Sequence, residues 1–358
     1  MNFIHFPEGK ETKFALLGGG YHISIFANML IEGGYNPPVI VTWPKEDHER
    51  DRVMLNDRNT YQYLFDIADK YGLEVIETYD INSPKVVDSL LSMGCNVALS
   101  LSWRTIIKKE FIEAFDNRVL NLHPTLLPKE RGAAAYSWRI LNNSKEVSST
   151  IHIVDEELDN GNILLQIEDI LECDNPKPID FIASTNYLYK KILNQLLDIV
   201  KSGCTHKLTP QNKDNHTYLH KDNHTYLHRL YTEVNGAIDW KWSIFDIERF
   251  IRAFSDPYPG AFTFVRGQKI HILDSEIVEI KKFHPFSNGK VLSIFDDGSV
   301  NVTCSSGILK IKSVSFIGDT IKEGVNPNSF FRYSDTLHTP DDVLENSITS
   351  NFSPKQMQ

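Results

Sequence analysis

Hydrophobic positions along the first half of the chain switch repeatedly between the period of a strand and that of a helix. Residues Lys13 to Leu17 form a short apolar run that ends in Gly18-Gly19-Gly20. The segment after it, YHISIFANMLIEGG, places Ile23, Phe26, Ala27, Leu30 and Ile31 at helical spacing, with Gly33-Gly34 as the stop. Pro38 to Thr42 reads as a buried strand. Helical stretches at Thr60–Tyr71 and Ser83–Met93 each lead into a further strand, Glu74-Val75-Ile76 and Val97-Ala98-Leu99-Ser100. Strands alternating with helices predict right-handed βαβ units, a parallel sheet and a Rossmann-like α/β domain with its ligands at the carboxyl ends of the strands. Another strand, Ile151-His152-Ile153-Val154, and a long helix at about Ile179–Lys201 complete this half.

The pattern changes after Ile238. A helix, Ile244–Phe254, leads through Pro257-Tyr258-Pro259-Gly260 to short alternating runs at Ile270–Ile272, Gly289–Ser293, Ser299–Cys304 and Gly307–Val314, broken by DDG and SSG turns. These predict a smaller β-barrel-like (OB-like) domain. The expected organisation is an α/β domain at 1–205, a linker at 206–236, a β-rich domain at 237–325 and a polar tail at 326–358. The linker holds KDNHTYLH twice in succession, at 213–220 and 221–228. A perfect tandem octapeptide reads as a duplication in a tolerant loop, since repeat architectures need periods of roughly 20–50 residues. It sets His216, His220, His224 and His228 four apart, which on a helix would share one side, but the flanks read as linker and no metal is expected.

Composition narrows the function. The 358 residues suit about two domains. Lys and Arg total 37 against 47 Asp and Glu, a net charge of −10, which speaks against affinity built on many phosphate contacts. The four cysteines are dispersed and form no CxxC pair, so they read as buried or idle thiols in a reducing compartment. No window offers the ~18 apolar residues of a membrane span, and the first residues lack the pattern of a signal peptide. A cytoplasmic protein with no membrane partner is expected. GGGYHI supplies two glycines of a dinucleotide fingerprint but has Ile23 at the third position, so a tight strand-to-helix turn is the better account.

Candidate chemistry is densest in NLHPTLLPKERG. Asn121 and His123 stand two apart at the end of an apolar strand, so both side chains leave one face. Pro124 ends the ladder, and Pro128, Arg131 and Gly132 shape the loop beside it. An amide can donate to a developing oxyanion while a neutral imidazole takes a proton from a nucleophile, a pairing that suits acyl transfer. Taken alone, such a couple is more often structural. Downstream, Asp155-Glu156-Glu157-Leu158-Asp159-Asn160-Gly161 is an acidic turn after a strand. A carboxylate from it could orient His123 as the third member of a triad, and a solvated acidic turn fits the same residues.

NLHPTLLPKERG, followed 38 residues after its Asn by LDNGNI, resembles the signature of the folate-dependent formyltransferases: Asn-x-His-Pro-Ser-Leu-Leu-Pro-x-x-Arg-Gly, then Leu-Asp-x-Gly-x-Ile. Thr125 stands where Ser is usual. GAIDW (236–240), IRAF (251–254) and PYPGAF (257–262) are similar to the C-terminal module of the methionyl-tRNA and sugar enzymes of that family, so the likeness runs over about residues 13–320. It implies a formyltransferase domain followed by the β-rich one, with N10-formyltetrahydrofolate as donor, a primary amine as acceptor and no metal. His123 would take the proton of the amine, Asn121 would hold the oxyanion, and Asp159 would support the imidazolium. The pterin would lie between Thr105, Ile106 and Ile107 and the loop Asp155, Glu156, Glu157 and Leu158, near Leu126, Leu127 and Pro128.

The acceptor is the finer question. Leu99-Ser-Leu-Ser-Trp-Arg-Thr-Ile-Ile resembles the Ser-aromatic-aromatic-Arg stretch of sugar formyltransferases, notably those acting on UDP-4-amino-4-deoxy-arabinose. Trp103 and Arg104 fit a packing aromatic and a structural ion pair equally well. The stretch Trp43–Arg58 carries Lys45, Arg50, Arg52 and Arg58 against Glu46, Asp47, Glu49, Asp51 and Asp57, a poor surface for tRNA. The expected acceptor is a nucleotide-linked amino sugar, a dTDP-linked 3-amino or 4-amino dideoxyhexose made for O-antigen or other lipopolysaccharide. Methionyl-tRNA is the alternative. The sugar enzymes of the family are often homodimers, the assembly the resemblance implies.

Overall fold

The computed structural model describes residues 2–48, 55, 62–211, 226–316 and 330–350. The first half contains strands β1 (Phe3–His5), β2 (Phe14–Gly18), β3 (Val39–Thr42), β4 (Val75–Glu77), β5 (Val97–Leu101), β6 (Val119–His123), β7 (Arg131–Gly132), β8 (Glu146–Ile153), β9 (Ile163–Ile170) and β10 (Thr205–Lys207). Its helices are α1 (Tyr21–Glu32), α2 (Gln62–Tyr71), α3 (Pro84–Ser92), α4 (Lys109–Ala114), α5 (Ala135–Leu141) and α6 (Pro178–Ser202).

Seven strands make one sheet in the order β4-β3-β2-β5-β6-β8-β9. The pairs from β4 to β6 are parallel, whereas β6–β8 and β8–β9 are antiparallel. Both faces of the sheet are covered, so β2 is apolar at every position. Phe14 and Leu16 join the cluster of Phe26 and Leu30 from α1 with Ile192 and Leu196 from α6. Ala15 and Leu17 turn to the other face and meet Val87 and Leu90 of α3 and Phe111 of α4. Gly18 ends β2 where strand order reverses, at φ +136, and a Cβ there would lie 2.1 Å from the Leu101 carbonyl oxygen. Backbone approach between β2 and β5 thus accounts for that glycine in the strand-to-helix turn.

The second half holds β11 (Tyr226–Leu227), α7 (Thr232–Asn235), α8 (Ile244–Ala253), β12 (Ala261–Val265), β13 (Gln268–Ile280), β14 (Val291–Ile294), β15 (Val300–Cys304), β16 (Gly307–Ser315), β17 (Leu337–His338) and α9 (Asp341–Thr349). Six of its strands form an antiparallel sheet in the order β14-β15-β16-β13-β12-β17, which curls until Lys290 bridges Thr336 across its two edges. Ile247 and Ile251 of α8 plug one side of the barrel among Ile270, Val302 and Ile311. Ile140, Phe181 and Leu188 from the first half enter the same cluster, joining the two cores.

Two segments differ from the polarity-based expectation. Residues 330–350, expected as tail, contain β17 and α9. Leu337 is buried at the barrel edge, and Arg266 pairs with the buried Asp335, anchors that a mostly polar composition conceals. The linker is also tied down at both ends. β10 pairs antiparallel with β1, and β11 pairs parallel with β7, so Tyr226 and Leu227 from the second octapeptide copy lie along Arg131 and Gly132. Residues 212–225, with the whole first copy and three of the tandem's four evenly spaced histidines (His216, His220 and His224), fall outside the described residues.

Beneath β7, Arg139 of α5 is 1% exposed, lies 2.7 Å from the Glu130 carboxylate and donates to Ser148 Oγ. Arg139→Met strands the Glu130 carboxylate and is expected to cost about 3 kcal/mol in urea unfolding; a loss below about 1 kcal/mol would show the pair is dispensable. Deleting residues 213–220 keeps the sequence of β11 and shortens the chain between Gln211 and Tyr226, a change in connection length worth only about 0.6 kcal/mol per doubling. The melting temperature is therefore expected to stay within about 4 °C of wild type, and a much larger drop would assign structure to the first copy.

Candidate active site

The carboxyl end of β6 carries the site. Alternation along the strand sends Asn121 and His123 to one face, and the antiparallel register sets Asn121 opposite His152 and His123 opposite Thr150. After β8 the chain folds back sharply. A Cβ at Gly161 would fall 1.9 Å from the Ile153 carbonyl oxygen, so only glycine lets the Asp155–Gly161 loop close onto the strand end. Asp159 in that loop takes φ +52, a left-handed conformation that costs a non-glycine residue about 1–2 kcal/mol.

That closure brings Asp159 to the histidines. Its Oδ1 is 3.7 Å from His123 Nδ1 and 3.8 Å from His152 Nε2, and its Oδ2 accepts the Gly132 N–H at 3.2 Å. All three side chains are at least nine-tenths buried. His152 Nδ1 lies 2.8 Å from the Ile153 carbonyl, so this nitrogen carries the proton, leaving Nε2 to accept from Asn121 Nδ2 at 3.1 Å. The Asn121 amide is thereby oriented with NH₂ inward, and its second N–H has no protein partner among the described residues.

The surroundings are dry and carry mixed charge. Burial lowers the His152 pKa to about 4, against the pull of Asp159, and keeps the ring neutral. Burial also lowers the pKa of Arg131, opposed by Asp159, Asp155 and Glu157. Desolvation raises the Asp155 carboxyl. Gln211 accepts from Arg131 at 2.6 Å and donates to the Asp159 and Gly161 carbonyls.

A cavity of about 180 Å³ opens beside these groups. Asn121, His152 and Asp159 reach it from below; Thr105, Ile106 and Ile107 form one wall, and Asp155, Glu156, Glu157 and Leu158 the other. The expected lining loops thus come together, with Ser100, Trp103 and Val154 added. Leu126, Leu127 and Pro128 do not line it. Leu126 faces a separate groove against β8 and β9, and Leu127 is buried with its N–H on Thr150 and its carbonyl on Gln166. Thr150 also donates to the Thr125 carbonyl, and these bonds pull the loop over β8, away from the cavity. Trp103 stacks on Trp43 at 4.6 Å, and Arg104 lies 4.2 Å over the Trp43 ring. Most of the charged stretch after Trp43, at 49–54 and 56–61, lies outside the described residues. His152 and Gln211 were missed from sequence: one hides in an apolar strand, the other in a polar linker.

No group of three or more His, Cys, Asp or Glu able to hold a metal exists among the described residues. No helix among them is long and apolar enough to cross a membrane.

A doubly wound domain with an Asn-His-Asp site at its strand ends, backed by a curled β-domain, defines a two-domain group-transfer enzyme. One family model, described as Formyl transferase, matches residues 12–177, and another, Formyl transferase, C-terminal domain, matches residues 232–332. Together they span about three quarters of the chain, which belongs to the formyl transferase family and is an N-formyltransferase. A methionyl-tRNA formyltransferase of Ruminiclostridium cellulolyticum is 27% identical over 80% of this chain and 86% of its own. One of Caldanaerobacter subterraneus is 29% identical with the same coverage. Among solved structures, WlaRD, a sugar 3N-formyl transferase with dTDP and 5-N-formyl-THF, has a TM-score of 0.57 at 19% identity, covering 85% of this chain and 97% of that one. The N-formyltransferase from Helicobacter canadensis, in complex with folinic acid and dTDP-3-aminofucose, has a TM-score of 0.54 at 18% identity, covering 84% and 98%. These two share the fold.

Because the His152 pKa is about 4 in the folded chain and about 6.5 in the unfolded one, the unfolded state takes up the proton first as pH falls. Its contribution is complete above pH 6.5 and is lost progressively toward pH 4. The urea midpoint of wild type is expected to fall between pH 7 and 5, and more steeply than in His152→Gln. Equal slopes would contradict the neutral buried ring.

Proposed function

We propose that the protein moves the formyl group of N10-formyltetrahydrofolate to the primary amine of a nucleotide-linked amino sugar, in the synthesis of a surface polysaccharide. Asn121 and Asp159 on the cavity, with His123 behind them 3.7 Å from the Asp159 carboxylate and not itself in the cavity lining, carry this reading. The amine adds to the formyl carbon, and oxyanion character develops on the formyl oxygen. The free N–H of Asn121, held by His152, donates to that oxygen. His123 takes the proton released by the amine, and the Asp159 carboxylate beside Nδ1 stabilises the imidazolium. Collapse then breaks the bond to the folate nitrogen, which needs a proton; His123 returns it.

The cavity is smaller than the roughly 300–1,000 Å³ of whole-ligand sites, so it would enclose only the ring end of the folate. Ile106, Ile107 and Leu158 supply apolar contact for a flat ring, and the acidic loop accepts hydrogen bonds from its N–H groups. The net charge of −10 supports a small acceptor, and the dTDP-linked 3-amino or 4-amino dideoxyhexoses are the form favoured. Cytoplasmic location and a homodimer accompany this reading. Methionyl-tRNA formylation is the second reading, favoured by the names of the 27% and 29% identical relatives.

A mass-spectrometric transfer assay with N10-formyltetrahydrofolate, offering dTDP-, UDP- and GDP-linked amino sugars and methionyl-tRNA, separates the two. A formyl mass gain on a nucleotide sugar is the expected result, and gain on methionyl-tRNA alone overturns the acceptor. His123→Asn is expected to lower transfer by about 10²–10⁴-fold, with folate affinity within about threefold of wild type. Wild-type turnover in that variant would refute the mechanism.

A further inference from the structure

Gln211 lies between the two matched family regions, in the stretch whose composition reads as linker. It is nevertheless 8% exposed and held firmly in place. Two residues before it, Thr209 exchanges both backbone hydrogen bonds with Ile163 at 2.8 Å, which fastens this part of the chain to the start of β9. Its side-chain amide then makes three short contacts. Nε2 donates to the Asp159 carbonyl at 2.9 Å and to the Gly161 carbonyl at 2.8 Å, and Oε1 accepts from Arg131 at 2.6 Å. A flipped amide would set an oxygen against two carbonyls and NH₂ against a guanidinium, so the network permits one orientation.

We propose that Gln211 is a positioning residue for Asp159, a role that rests on the reading of Asp159 given above. The two carbonyls it holds flank Asn160, and the first belongs to the residue in the left-handed conformation. Fixing them fixes where the Asp159 carboxylate emerges, toward His123 and the Gly132 N–H. The third contact engages Arg131, a half-buried cation whose charge is felt by Asp159. Gln211 occupies one of its N–H groups with a neutral acceptor, leaving the Asp159 carboxylate to the histidines. No small donor-acceptor group other than a side-chain amide can serve two carbonyls and a guanidinium at once.

The test is a double-mutant cycle on formyl transfer from N10-formyltetrahydrofolate to the acceptor identified by the assay above. Gln211→Met keeps the volume and donates nothing; Gln211→Glu keeps the acceptor for Arg131 but meets the carbonyls with an oxygen. Both are expected to lower kcat by about ten- to a hundredfold, with the acceptor KM within about threefold and the folded circular dichroism spectrum retained. In an Asp159→Ala background either change is expected to alter the residual kcat by less than about threefold, because the residue acts through Asp159. Wild-type kcat in both variants overturns the proposal, as does a loss of equal factor in the Asp159→Ala background. A normal kcat in Asp159→Ala alone would bring down the reading of Asp159, and the proposal with it.

Discussion

Asn121 and His152 face one another across the β6–β8 ladder, and nearly every feature of the site depends on that antiparallel pairing. If β8 ran parallel to β6, as the strands on the other side do, its exit loop would leave beyond His123; the antiparallel register instead ends β8 beside Leu120 and Val119, and the loop folds back to bring Asp159 to His123. The observed register sets a histidine against the amide and a threonine against the catalytic candidate. Thr150 then ties down the loop after His123 through its bonds to Thr125 and Leu127. The same strand ends in Ile153, whose carbonyl receives the His152 proton and lies hard against Gly161. One backbone carbonyl thus selects a tautomer and demands a glycine.

Burial gives these short-range contacts their force. Water at the Asp159–His123 pair would screen the charge and leave each group its own solvation; behind Gly132 and Gln211 the pair sits in a medium where a carboxylate and a ring nitrogen sense each other at 3.7 Å. The same burial keeps His152 uncharged, so its Nε2 serves as a hydrogen-bond acceptor for Asn121. Arg131 shows the opposite side of this arrangement. Its half-buried guanidinium is partly desolvated and is offset by the charges of Asp159, Asp155 and Glu157, while its Nε has no partner among the described residues. Strained backbone gathers in the same small region, with Glu130, Ala134 and Asp159 all at positive φ.

Much of the architecture was legible in the residue pattern because both periodicities are strong. The helices at Tyr21–Glu32, Pro84–Ser92 and Pro178–Ser202 begin and end within a residue or two of where capping and spacing place them. The short β-runs of the second half were found by their turns, though β13 extends to thirteen residues, from Gln268 to Ile280, where alternation past Ile272 is interrupted by acids. The tail misled for a related reason. Leu337 and the buried Ser347 are too sparse to stand out among polar neighbours; Leu337 is covered by its pairing with Val265 of β12, and Ser347 lies where α9 meets Asn235 of α7, both far earlier in the chain.

The residue pattern by itself determined the parallel sheet, the change to a β-rich second half, and Asn121 and His123 sharing a face, because each follows from periodicity over a few neighbouring residues. The acidic turn holding Asp159 was equally visible as a turn. Only the tertiary structure decided that Asp159 meets His123, that His152 orients Asn121, and that Leu126 and Leu127 leave the cavity. The same holds for Gln211, 52 residues beyond Asp159 in a polar stretch with no periodic signal. Such contacts come from strand register and loop closure over long separations, and those depend on the packing of the whole sheet rather than on any local sequence preference.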